Sequence, residues 1–94
     1  MFVVTLKFAD KAKAPQFMEG HNAWIKQGFD DGVFALAGSL QPSAGGAVLA
    51  HNISRADLEV RVQEDPFVAD GVVSAGILEI APGRVDDRLA FLKA

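Results

Sequence analysis

The sequence predicts an α+β domain: a four-stranded antiparallel sheet with two helices across one face. Three observations predict it. Hydrophobic periodicity changes between strand-like and helix-like along the chain in the order β-α-β-β-α-β, the split βαβ arrangement. Glycine and proline punctuate the joints between those stretches. Finally, a chain of 94 residues supports one core and no second domain, because a domain of that size buries only about 60–65% of its surface.

Phe2, Val4, Leu6 and Phe8 alternate with Val3, Thr5 and Lys7, which predicts the first strand, ended by Asp10. From about Lys11 to Asp31 the period becomes helical, with Ala14, Phe17, Met18, His21, Trp24, Ile25 and Gly28 on one stripe. Pro15 fits the first turn of that helix, and Gly28 and Gly32 are candidates for its C-terminal cap. Val33 to Leu40 reads as the second strand. Strict alternation with Phe34, Leu36 and Leu40 toward the helices puts Val33, Ala35, Ala37 and Ser39 on the opposite face beside Val3 and Thr5.

The Gln41 to Gly46 stretch suits a hairpin, with Ala47 to Asn52 returning as the third strand. Ser54 is a good N-cap, with Asp57 three residues on, so the second helix runs from there to about Glu64. Asp65-Pro66 interrupts it, since a residue before proline is pushed out of the helical region, and Asp65 then caps a fresh short turn that ends at Gly71. Val72 to Ile80 alternates again as the fourth strand. Residues 82–94 form a tail in which Val85, Leu89, Phe91 and Leu92 are candidates for a short packing segment.

Half the residues are hydrophobic and 22% are charged. That is more apolar surface than one small core absorbs, so self-association is expected. The net charge of −3, with scattered basic residues, argues against a nucleic-acid partner. No stretch approaches the roughly 20 apolar residues of a membrane span, and the N-terminus lacks a signal-peptide pattern. A cytoplasmic protein is the expectation. Without cysteine there is no disulfide, thiolate nucleophile or thiolate metal site, and the two histidines, His21 and His51, have no carboxylate at metal-ligand spacing. Gly45-Gly46 lacks the lysine of a phosphate-binding loop, and no nucleophile-elbow pattern surrounds Ser39. Neither a metal nor a cofactor is expected.

His21 and Asp65 are the residues that stand out chemically. An imidazole on an apolar stripe is either a satisfied core residue or one put to use, and Asp65 is either a plain cap or a cap that also holds an imidazole. Were the two to meet, the carboxylate would select the tautomer of a proton shuttle suited to neutral pH. Ser39 is a candidate donor to a developing oxyanion, and Gly38 fits a place where a side chain would strike neighbouring backbone. Phe67 and Trp24 are candidate walls, although Trp24 fits the core or a dimer interface better than a wall. His51 reads as a surface residue without a role.

These residues resemble the YCII family: His21 in the first helix, Ala37-Gly38-Ser39-Leu40, Gly45-Gly46-Ala47-Val48-Leu49, Ser54-Arg55-Ala56-Asp57-Leu58, and Asp65-Pro66-Phe67-Val68 with Gly71. The likeness runs from Met1 to about Pro82, and its most specific element is the Asp-Pro-Phe turn combined with a helix-one histidine. The resemblance implies a ferredoxin-like fold pairing into a dimeric α/β barrel, with His21 and Asp65 as a catalytic dyad at the edge of a small cavity. The best-understood activity in that superfamily eliminates hydrogen chloride from a chlorinated hydroxyquinol, and the fold is shared with muconolactone isomerases and cofactor-free monooxygenases. Ser39 stands where relatives often carry proline, and the chain has no tyrosine.

Two functions are therefore expected as alternatives. One is a cofactor-independent lyase-like or isomerase-like enzyme acting on a small cyclic or phenolic metabolite. The other is a non-catalytic, ligand-binding or accessory module, also a homodimer or higher homo-oligomer.

Overall fold

A computed structural model describes residues 1–93, and in it the alternating N-terminal run is strand β1 (Phe2–Phe8), with Phe2, Val4 and Leu6 buried. A short 3₁₀ turn over Lys11–Lys13 leads into helix α1 (Ala14–Asp30), with Pro15 in its first turn where no amide hydrogen is needed. Gly32, at φ +74°, ends the helix. Its N–H bonds the Phe29 carbonyl at 3.0 Å, and the next residue, Val33, bonds the Gly28 carbonyl at 3.0 Å, the double closure that a left-handed residue allows. Gly28 itself has a packing role, because a Cβ there would run into the ring of Phe34.

Strand β2 (Phe34–Leu40) turns through residues 41–44 into β3 (Gly45–Ala50). Helix α2 (Arg55–Gln63) starts at Ser54, whose Oγ accepts the Asp57 N–H at 3.1 Å, as the sequence predicts. A one-turn helix, α3 (Pro66–Ala69), precedes β4 (Val73–Glu79), and a 3₁₀ segment over Asp87–Lys93 buries Leu92.

The four strands are antiparallel in the order β2-β3-β1-β4. Each helical connection joins two parallel strands that leave one strand between them, the ferredoxin-like topology expected from the order of elements. The core lies between the sheet and the helices, where Val4, Val48, Leu58, Val62 and Val72 are almost wholly buried.

One expectation is overturned in β2. Its register on β3 slips between Phe34 and Leu36, so that Ala35 is an extra residue, a β-bulge. A one-residue slip exchanges the two faces of a strand. Phe34 stays against the helices opposite Ala50, but Leu36 pairs with Leu49, and Ala37 and Ser39 pair with Val48 and Gly46 on the helix side. Leu36 and Leu40 thus lie on the open face, and Ala37 and Ser39 on the covered one. Val3 and Thr5 keep the open-face positions predicted for them.

Candidate functional site

Pro66 forces Asp65 into extended backbone (φ −65°, ψ 122°), which ends α2 and makes Asp65 the N-cap of α3. Its Oδ1 accepts the Phe67 N–H at 3.0 Å. A carboxylate that is 0% exposed needs more than one partner, and His21 of α1 supplies it: Nδ1 lies 2.9 Å from Oδ1 and 3.0 Å from Oδ2. Both oxygens face the imidazole, and one of them also serves the cap.

The approach of α1 to α3 depends on Gly20, because a Cβ there would come within 2.9 Å of Pro66 Cγ. The imidazole then lies flat on the Phe67 ring, with centroids 3.9 Å apart and planes within 4°. A single three-residue turn thereby caps α3, accepts the histidine proton and fixes the plane of the ring. An ionised carboxylate can only accept, so opposite it Nδ1 is the donor of the pair and Nε2 is the free nitrogen. Among the described residues Nε2 has no hydrogen-bond partner.

His21, whose side chain is 12% exposed, borders a cavity of about 300 Å³ between α1 and the sheet. Met18, Asn22 and Ile25 of α1 border it with His21, Leu6 and Phe8 come from β1, and Phe67 and Val73 close one end. Ala37 and Ser39 of β2 lie opposite Val48 and Gly46 of β3 across the floor, with the backbone of Gly38 between them. His21, Asp65 and Phe67 are thus in mutual contact, and Gly38 and Ser39 line the same cavity. Gly38 is not there to relieve crowding, contrary to expectation, since a Cβ would meet nothing within 4 Å.

Trp24 takes a different place from the cavity wall considered for it. It is buried in the core edge-to-face with Phe34 at 5.1 Å, and its indole N–H donates to the Arg61 carbonyl at 2.9 Å. A buried indole needs such an acceptor, and the residue that provides it ties α2 to α1 a second way: the Arg61 guanidinium donates to Asp31 at 2.9 Å. That bond, with a second from Gln27, holds the Asp31 carboxyl below its ordinary value.

His51 packs edge-to-face on Phe91 of the tail, with its Nδ1 buried and unpartnered among the described residues. It borders a second cavity, of about 370 Å³, with Met1, Arg55 and Glu79. Among the described residues no three histidine, aspartate or glutamate side chains converge to hold a metal ion. No described helix is long and apolar enough to cross a membrane.

Met18, Asn22 and Ala37 also reach the cavity without having been singled out. Met18 lies on the predicted apolar stripe and reads as core. Asn22 carries no signal beyond being next to His21, and Ala37 is hidden by the bulge.

No protein-family model matches the chain, and no curated protein matches it significantly.

Proposed function

We propose that this chain is a cofactor-independent acid–base enzyme of the YCII type, in which Nε2 of His21 moves a proton to or from a small cyclic or phenolic substrate. The observation that carries this reading is the bond from Nδ1 to both oxygens of a fully buried carboxylate, beside a cavity bordered by the same imidazole. Asp65 acts by positioning: it sets the tautomer and stabilises the imidazolium that forms when Nε2 accepts a proton.

With a substrate bearing an acidic O–H or C–H, Nε2 takes the proton. The electron pair left behind either moves within the ring, to be reprotonated at another carbon in an isomerisation, or expels a leaving anion in an elimination. The Ser39 hydroxyl, on the helix side of the sheet because of the bulge, is the donor to negative charge developing on oxygen. In the same reading the chain is a cytoplasmic homodimer joined through its open sheet faces.

The test is anaerobic chloride release from a chlorinated hydroxyquinol, with deuterium incorporation from heavy water read in parallel. His21→Ala and Asp65→Asn are each expected to slow turnover by about 10²–10⁴-fold. Undiminished turnover in His21→Ala, or none in the wild type, sinks the reading. Should wild type and His21→Ala both bind the compound without turnover, the chain is a ligand-binding module.

A further inference from the structure

We infer that the cavity beneath α1 selects an uncharged, single-ring molecule and rejects carboxylates and phosphate esters of the same size. The inference deepens the acid–base reading and rests on it for one point alone, that the ligand's exchangeable proton faces His21.

The first argument is charge. Among the described residues the lining contains no lysine, arginine, aspartate or glutamate, and His21 is the titratable group in it. Behind His21 stands the Asp65 carboxylate, so the pair is neutral when the imidazole is protonated and negative when it is not. In neither state does the pair present net positive charge to an incoming anion, and the Lys11 ammonium, over the Phe8 ring at 5.3 Å from its centroid, does not line the cavity. Leu6, Phe8, Ile25 and Val48 form apolar walls, where an ionised group gives up its water without gaining a counter-charge. The polar side chains Asn22 and Ser39 are exposed and offer neutral hydrogen bonds only.

The second argument is size, and the bulge decides it. Without the slip at Ala35, Leu36 and Leu40 would point under α1. With it, Ala37 and Ser39 do, opposite Val48 and the bare Gly46. Two long side chains are thereby kept out of the floor. The remaining space of about 300 Å³ lies at the lower end of the roughly 300–1,000 Å³ that small-molecule sites occupy, which suits one ring with its substituents.

The experiment titrates the wild-type chain with phenol, benzyl alcohol, benzoate and phenyl phosphate, following the amide resonances of Ala37, Ser39 and Gly46. Phenol and benzyl alcohol are expected to shift all three, with Kd values for benzoate and phenyl phosphate at least about tenfold weaker. Ala37→Leu, which refills the floor, should abolish the phenol shifts while the folded spectrum is kept. Asn22→Lys, which puts a cation at the exposed rim, should raise the affinity for benzoate relative to phenol at least about tenfold. Benzoate binding as tightly as phenol to the wild type, or phenol not binding there, overturns the inference. The two readings fail separately. Selective phenol binding alongside chloride release that ignores His21→Ala sinks only the catalysis, and indifferent binding alongside turnover that needs His21 sinks only the selectivity.

Discussion

Asp65 carries three obligations in one side chain: it starts α3, accepts the imidazole proton and sits out of contact with solvent. These obligations separate by substitution. Asp65→Asn keeps an oxygen for the Phe67 N–H, and its amide NH2 can donate to Nδ1 in the other imidazole tautomer, so its stability loss is small although the tautomer is reversed. Asp65→Ala removes the cap, worth about 1 kcal/mol, and leaves the Nδ1 proton without an acceptor at a further cost of about 1–3 kcal/mol. Urea denaturation is expected to place Asp65→Ala roughly 2–4 kcal/mol below the wild type and well below Asp65→Asn. Equal losses in the two variants would mean that neither the cap nor the imidazole bond stabilises the turn. The capping half of this was readable from Asp65-Pro66, because proline acts on its immediate neighbour. The pairing half spans 44 residues and has no local signature, so it entered through a family likeness and not through periodicity. Trp24 shows the same limit, since a helix stripe tells that an indole faces inward and not whether it meets a cavity or the core.

Elements are where sequence reading was strongest and where it failed once. Caps, prolines and hydrophobic period located every helix and strand to within a few residues, because these signals act over one turn or one pleat. The bulge in β2 escaped because Phe34-Ala35-Leu36-Ala37 is an unbroken apolar run, in which either phase of alternation fits. Its consequence is large, for it decides which half of the strand forms the cavity floor. The link between α1 and α2 through Asp31 and Arg61 gives a pH test. The Arg61 and Gln27 bonds lower the Asp31 pKa from 3.8, so their stabilisation is present above that value and is lost as pH falls through the folded-state pKa. Melting curves of wild type and Asp31→Asn from about pH 7 to about pH 2 should therefore keep a constant gap down to the carboxylate range and converge below it. A gap that widens on acidification would show that the interaction does not depend on ionised Asp31.

At the scale of the whole molecule the sheet has two unlike faces. One is covered by helices and contains the cavity. The other carries Leu36, Leu49, Val3 and Leu78 in register across all four strands, with Leu36 58% and Leu78 61% exposed. The next row, Gly38, Ala47, Thr5 and Gly76, is small enough to let a second sheet come close. Burying each exposed leucine is worth about 1.5–3 kcal/mol, set against the general cost of association. In the proposed homodimer two such rows face each other, so Leu36→Lys combined with Leu78→Lys would place four charges in that layer. Sedimentation velocity is expected to show a dimer for the wild type and a monomer for the double variant. Since His21 and Asp65 lie on the other side of the sheet, the separated monomer should retain the deshielded Nδ1–H proton resonance of the pair in NMR spectra. A wild-type monomer, or a double variant that sediments as a dimer, would remove the sheet face from the assembly. Loss of the Nδ1–H signal on dissociation would instead make the pair's geometry depend on the second copy.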